Sequence, residues 1–322
     1  MATLGAYPTP VQRLEQFSTA STSLWIKRDD LTHPVYGGSK LRKLGRILED
    51  ALELGATRLV TVGAVGSHHV LCTGIFGECA GFQVEAVVLP RPRSTHVVDT
   101  LRASVGRGVR LVPAASYAEA ARHLATSAAS GAYSIPAGGS SPRGTLGILE
   151  AATELAEQVR TGVLPEPDLL VVALGSGGTV GGLVAGLEQA RLRTRVLAVA
   201  VTEPTRVFTH KARALAKELV AEPLRAHVLD RLELERRYLG PGYGHATAAG
   251  EHATAQAARV GLSLDATYTA KAFAAALERV ALGRERHILF WHTLSGAPLA
   301  PLLLNAPLES ELADDLRRLM LE

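Results

Sequence analysis

Cysteine, methionine and aromatic side chains are scarce in this 322-residue chain, and neither sign of charge dominates. Two cysteines, Cys72 and Cys79, are too few for a disulfide framework and fit a reducing cytosol, so a cytoplasmic location is expected. Aromatics make up 5%, so a core must be built from Ala, Leu and Val. Lys plus Arg is 34 against 31 for Asp plus Glu, a net charge of +3, and the basic residues are scattered rather than striped. That balance argues against a nucleic-acid partner. No uninterrupted apolar stretch approaches the roughly 18 residues of a membrane span, so no membrane partner is expected. Met1–Leu14 lacks a basic segment followed by an apolar run, so no secretory signal is expected. What is present is ordinary for a globular chain: 47% hydrophobic and 20% charged residues. At about 150 residues per domain, the length suits two domains or one large one.

Short Val, Ile and Leu runs alternate with helical patterns. The runs at 59–62, 84–89, 109–112, 133–135, 169–173, 196–201 and 287–291 show no in–out alternation, as expected of parallel strands covered on both faces. Ahead of the first run, Leu41, Leu44, Ile47, Leu48, Ala51 and Leu52 fall on one helical face. The alternation predicts an α/β protein with two open, mostly parallel sheets flanked by helices. The four runs between 59 and 135 would form a small sheet and those after 168 a second, with Pro165-Glu166-Pro167 as a boundary loop. A ligand crevice is expected at the carboxyl ends of the strands, between the two units.

Four segments carry candidate chemistry. In Tyr36-Gly37-Gly38-Ser39-Lys40-Leu41-Arg42-Lys43, two glycines turn the chain into a helix that Ser39 could cap. Three cations at a helix start are unfavourable, so an anion should compensate them, and a lysine among cations becomes a usable nucleophile. Taken alone, the segment reads more simply as a solvated basic turn. Gly63-Ala64-Val65-Gly66-Ser67-His68-His69 follows a strand and opens a helix, offering backbone N–H groups to a carboxylate or phosphate beside Ser67 and His68. An N-cap serine next to two surface histidines is the alternative. His68 and Cys72 stand four apart, but no third ligand follows at regular spacing, so no metal is expected. Gly175-Ser176-Gly177-Gly178-Thr179 lies between a strand and a helix, the geometry that cradles a phosphate. Its spacing is not that of a dinucleotide loop, although Glu203 could mimic a ribose-binding acid, and a turn needed only for packing is the alternative. Last come Asp265–Lys271 and Trp291-His292-Thr293-Leu294-Ser295-Gly296, whose hydroxyls could equally be ordinary caps and turns.

In order along the chain these segments resemble the D-cysteine desulfhydrase and 1-aminocyclopropane-1-carboxylate (ACC) deaminase family of fold-type II pyridoxal phosphate (PLP) enzymes. Ile26-Lys27-Arg28-Asp29-Asp30 is similar to the family's early IKRDD stretch, and Gly37–Leu44 to its GGNKLRKL, whose first lysine is the Schiff-base lysine. Ile135–Ser140, Gly175–Gly182, Gly240–Gly244, Leu264–Ala272 and Phe290–Thr293 resemble further family segments. The resemblance implies a small α/β domain over 44–155 and a large PLP-binding domain from 1–43 and 156–322. It also implies a homodimer and a small amino-acid substrate.

It further implies roles. Lys40 would hold the PLP aldehyde and later return as an amine base. Gly175, Ser176, Gly177, Gly178 and Thr179 would bind the phosphate, with Lys43 helping. Thr293 or Ser295 would face the pyridine nitrogen, a pairing that favours prompt loss of a β-leaving group. Ser67 with the N–H groups of His68 and His69 would hold the substrate carboxylate, and Tyr243 and Tyr268 would line the pocket as acid or base. Departures stand out: Ser39 and His68 replace family Asn residues, the second of which bonds the PLP 3′-oxygen, and Thr269 replaces the Glu of ACC deaminases. The implied activity is β-elimination from D-cysteine or a β-substituted alanine, giving a 2-oxo acid and ammonia. β-Replacement, ACC deamination and racemisation are the alternatives. A nicotinamide-dependent oxidoreductase and an inactive ligand-binding protein are more distant ones.

Overall fold

In strand β8, Leu169–Leu174, all six side chains are buried, because the strand has a core on each face. Leu169, Val171 and Ala173 pack into one core and Leu170, Val172 and Leu174 into the other. This is the physical origin of the unalternating apolar runs. The computed structural model describes residues 4–321, so Met1–Thr3 of the N-terminal stretch, and Glu322, lie outside the described residues.

The strands run β1 Val11–Arg13, β2 Ser23–Lys27, β3 Arg58–Ala64, β4 Gln83–Leu89, β5 Arg91–Pro92, β6 Arg110–Pro113, β7 Tyr133–Ile135, then β8, β9 Arg195–Ala200, β10 Leu232–Glu235, β11 His287–Trp291 and β12 Met320–Leu321. The main helices are α1 Ser39–Glu53, α2 His68–Cys79, α3 Thr95–Gly106, α4 Tyr117–Ala129, α5 Pro142–Arg160, α6 Gly178–Gln189, α7 Thr205–Leu219, α8 Ala248–Ala258 and α9 Thr269–Leu282.

The chain divides into two compact units. The larger, 4–43 and 142–297 among the described residues, holds a six-stranded sheet of order β1-β2-β11-β8-β9-β10, parallel except for the antiparallel edge pair β1–β2. On one face Ala253 and Ala257 of α8 and Ala272, Phe273 and Ala276 of α9 meet Val171, Val199 and Phe290. On the other, Ile148 and Ala152 of α5, Val180 and Val184 of α6 and Ala212 of α7 meet Val172, Ala198 and Trp291. The smaller unit, 44–141 and 298–321, holds a four-stranded parallel sheet of order β6-β4-β3-β7 and the short pair β5–β12.

This division departs from the expected 44–155 in two places. Helix α5 belongs to the larger unit, because Ile148, Ala151, Ala152 and Leu155 fill the core beneath α6. The C-terminal segment belongs to the smaller one, because Leu312, Leu316, Leu319 and Met320 pack on Val88, Val97 and Leu101. Three strands of the large sheet, β1, β2 and β10, escape the periodicity reading. Lys27 ends the short apolar run of β2, and β10 is an edge strand that alternates leucine with glutamate and leaves Leu234 exposed.

With few aromatics, the helix layer over β8 closes by approach of backbones. A Cβ on Gly182 of α6 would lie 2.6 Å from Ile148 Cβ and 2.9 Å from the Thr145 carbonyl oxygen, and one on Gly186 would lie 2.5 Å from Ala152 Cβ. Gly182→Val must therefore push α5 and α6 apart. We expect it to cost about 3 kcal/mol, the upper part of the range for overpacking, read as a lowered urea midpoint with unchanged slope.

Candidate active site

The larger unit assembles its candidate residues at the carboxyl ends of β2, β8 and β11. The turn before α1 is sewn to the segment after β11: Ser39 N–H donates to the Thr293 carbonyl at 3.2 Å, and Gly37 N–H donates to Ser295 Oγ at 2.9 Å. Gly38 has φ +93°, and a Cβ there would stand 2.6 Å from the Thr293 carbonyl oxygen, so only glycine permits this approach. The same turn is tied to the end of β2 by Gly38 N–H donating to the Asp29 carbonyl. Lys40 thus begins a helix whose entry is fixed by two strands.

Beneath Lys40 lies a buried ionic cluster. The Asp29 carboxylate accepts from Ser39 Oγ at 2.6 Å, from Arg42 Nη2 at 2.8 Å and from Trp291 Nε1 at 2.8 Å. Arg42 also reaches both oxygens of Glu154, which accepts from Lys27 Nζ at 2.5 Å. Lys27 donates further to the Thr9 carbonyl and Gln158 Oε1. Burial works to raise the Asp29 pKa, but the Arg42 guanidinium and the hydrogen bonds from Arg42, Ser39 and Trp291 hold it below the usual carboxylate range. Burial pushes Lys27 below the usual lysine range despite Glu154. Here is the anion the basic turn requires. Ser39 opens α1 as its first residue and spends its hydroxyl on Asp29 rather than on a cap.

Tyr268 stands just before α9, held by Asp265, whose carboxylate accepts the N–H groups of Thr267, Tyr268 and Thr269 and the Thr269 hydroxyl. Lys40 Nζ lies 5.2 Å from the centre of the Tyr268 ring. The Tyr268 and Tyr243 hydroxyls are 2.8 Å apart, and their rings meet edge to face. The loop carrying Tyr243 is fixed from below by Lys271 of α9, whose buried ammonium donates to the Leu239 and Gly242 carbonyls. Burial lowers the Lys271 pKa, and Asp265 opposes the shift in part. On its other side Tyr268 abuts the loop after β8, where a Cβ on Gly175 would stand 2.9 Å from the ring.

That loop fits the phosphate of PLP. Helix α6 starts from Gly177 at φ +94°, no side chain caps it, and Ser176 and Thr179 flank the turn. The N-terminal dipole of a three-turn helix suits a dianion. Lys43 is buried one turn beyond Lys40. After β11, His292 is buried with its Nδ1 lacking a partner, and burial lowers its pKa. Glu203 accepts the Thr205 N–H at the start of α7, a capping role.

Ser67, His68 and His69 belong to the smaller unit, in the turn from β3 into α2. Ser67 caps α2 by accepting the His69 N–H at 3.2 Å, so one of the two N–H groups expected to meet a carboxylate is already engaged. The His69 ring bonds Thr61 Oγ1 at 2.8 Å, and the His68 ring bonds His96 of α3. Among the described residues, no group of three His, Cys, Asp or Glu could hold a metal ion, and no helix is long and apolar enough to cross a membrane. The periodicity reading missed Asp29, Glu154, Asp265, Lys271 and His96. The acidic pair of the Ile26–Asp30 stretch, so close to a basic turn, was the signal for the first of these.

Most of the chain is similar to known proteins. The profile of pyridoxal-phosphate dependent enzymes matches residues 2–293. A putative 1-aminocyclopropane-1-carboxylate deaminase of Pyrococcus furiosus is 35% identical over 299 residues, 89% of each chain. D-cysteine desulfhydrase of Klebsiella pneumoniae is 35% identical over 311 residues, 90% of this chain and 92% of the relative. The crystal structure of an ACC deaminase homologue, 31% identical, superposes with a TM-score of 0.78 over 93% of this chain and 95% of the other.

Asp29→Asn would leave Arg42 buried with half its partners. We expect a loss of about 3 kcal/mol or more in urea unfolding. Because the folded-state pKa of Asp29 is depressed, its contribution is fully present above about pH 4 and drains away as the pH falls toward the folded value. Acid unfolding followed by circular dichroism should therefore be shallower in the variant below pH about 4.

Proposed function

The chain belongs to the family of pyridoxal-phosphate-dependent enzymes, and from that premise we propose that it eliminates the β-substituent of a small amino acid, D-cysteine or another β-substituted alanine. With D-cysteine and one water, the products are a 2-oxo acid, ammonia and hydrogen sulfide. The observation that carries the reading is Lys40 Nζ over the ring of Tyr268, whose hydroxyl bonds that of Tyr243.

When bound, PLP supplies an aldehyde that captures amines and a ring that accepts electrons from the substrate α-carbon. Lys40 would be the amine that holds the cofactor's aldehyde and the base for the substrate α-proton. The Tyr268 ring face steadies the ammonium that results. In the tyrosine pair one hydroxyl donates and the other accepts, so a proton can be handed along it to a departing thiolate. Gly175–Thr179 and Lys43 would hold the phosphate, and Thr293 or Ser295 would hold the pyridine nitrogen. Ser295 Oγ already accepts the Gly37 and Ala297 N–H groups, which leaves its proton to donate. Ser67 in the same way accepts from His69 N–H and can donate its own proton to the substrate carboxylate, with the His68 N–H beside it. His69, its ring turned to Thr61, supports the turn. Support for elimination rather than ACC deamination comes from Thr269, whose hydroxyl is spent on Asp265 where ACC deaminases carry a glutamate. A cytoplasmic homodimer completes the proposal. Its support is the family resemblance and two cysteines, neither in a disulfide.

Reconstituted with PLP, the protein should absorb at about 410–430 nm and release 2-oxo acid from D-cysteine. Lys40→Ala should lose both. Tyr268→Phe should keep the band and lower kcat about a hundredfold, the scale of a lost proton donor. Oxo-acid release from ACC but not from D-cysteine or β-chloroalanine would overturn the choice of substrate. Absence of the band in the reconstituted protein would overturn the cofactor site.

A further inference from the structure

The smaller unit holds a cavity of about 420 Å³ at the amino ends of β3, β4 and β6, a volume within the range of small-molecule sites. It lies at the far end of β3 from the turn at Ser67. Arg58 opens that strand and Ala64 closes it, about 20 Å on at roughly 3.3 Å per residue. No residue of the proposed reaction lines the cavity.

Alternate side chains of a strand face opposite ways, so the lining comes from both faces of the sheet. Leu59 and Val84 turn toward α2, where a Cβ on Gly77 would stand 2.7 Å from Val84 and 3.1 Å from Leu59. Val60 and Glu85 turn toward α4, where Ser127 Oγ donates to Glu85 at 3.3 Å. Phe82, buried, extends the apolar part.

The charged lining is Arg58, Arg107, Arg110, Glu78 and Glu85. Glu85 is engaged on both oxygens, one with Arg110 and the other with His123 and Ser127. Arg58 donates to the Ser130 carbonyl and hydroxyl. Glu78 and Arg107 hold each other at 2.8 Å with side chains 53% and 34% exposed, and a pair so exposed is worth little. Arg107 Nε is buried without a partner among the described residues, so this guanidinium is incompletely satisfied where it stands. Glu78, Arg107 and Ser127 stand at the carboxyl ends of α2, α3 and α4, whose dipoles add partial negative charge. Three guanidiniums set against two carboxylates and three helix ends bring the cavity close to neutrality while keeping both signs on its wall. A phosphate or a simple cation would meet repulsion there. A zwitterion would not.

We propose that this cavity binds a free amino acid with a bulky apolar side chain. Arg107 takes its carboxylate, Glu78 its ammonium, and Phe82 and Val84 receive the side chain. One exposed ion pair is thereby exchanged for two, and apolar surface is covered.

The test is calorimetric titration of the PLP-loaded full chain with both enantiomers of phenylalanine and of leucine. At least one should show a binding step with a Kd of about a millimolar or below. 3-Phenylpropionate, which lacks the ammonium, phenethylamine, which lacks the carboxylate, and alanine, which lacks the apolar body, should each bind at least about tenfold more weakly. Arg107→Gln and Glu78→Gln should each weaken that step about tenfold. Both positions are solvent-facing, so the variants should keep the wild-type urea midpoint, which separates lost binding from lost folding. No binding step up to about 10 mM, or one that both variants retain at full strength, would overturn the inference. Equal affinity for 3-phenylpropionate or phenethylamine would overturn it as well, since the site would then not read a zwitterion.

Discussion

One buried carboxylate organises the larger unit. Asp29 is wholly enclosed, yet it receives charge-assisted hydrogen bonds from a guanidinium, a serine hydroxyl and an indole that lie on α1 and β11. Helix α1 carries Lys40, and β11 runs into Thr293. A single anion therefore sets the position of the amine proposed as nucleophile relative to the segment proposed to face the pyridine nitrogen. A buried ionic cluster is a poor source of net stability, since desolvation consumes most of the attraction. What it does provide is geometry: an apolar replacement could hold α1 in several rotations, whereas the planar fork of Arg42, anchored on Asp29 and Glu154, admits one.

The scarcity of aromatic residues has a consequence for precision. A core of Ala, Val and Leu fills space with small pieces, and the helices over β8 approach until glycine is required at Gly182 and Gly186. The few large side chains are kept for particular places. Trp291 is both a core residue and a donor to Asp29, and Phe273 joins Phe17 and Phe290 beneath the start of α9. Close backbone packing of this kind leaves little room for the loops after β8 and β11 to shift.

Much of the fold was legible because a parallel strand buried on both faces leaves a plain mark. All seven apolar runs are strands, and the alternation of strand and helix specified open parallel sheets. The unread strands failed for opposite reasons. β2 ends in a lysine whose burial is made tolerable by Glu154, 127 residues away, and β10 is a short edge strand with glutamates between its leucines. The candidate site was legible in its glycines, its lysine and its tyrosines, since turns and nucleophiles act locally. Its supports were not: Asp265 and Lys271 look like ordinary helix-start residues until their partners, the backbone before Tyr268 and the carbonyls of Leu239 and Gly242, are brought to them.

These supports share a logic. Each reactive group is held by a charged side chain that does not react: Lys40 by Asp29 through α1, Tyr268 by Asp265 through its own backbone N–H, Tyr243 by Lys271 through the loop carbonyls. Asp29 and Lys271 are buried and Asp265 partly so, and each is bonded to main chain or to fixed partners. The reactive groups then have to differ from solvent analogues only in placement. Catalysis by placement demands that the amine and hydroxyls stay within reach while protons move among them. A scaffold that fixed them through one another would be disturbed by each transfer. Fixing them from beneath separates the holding of the site from its chemistry.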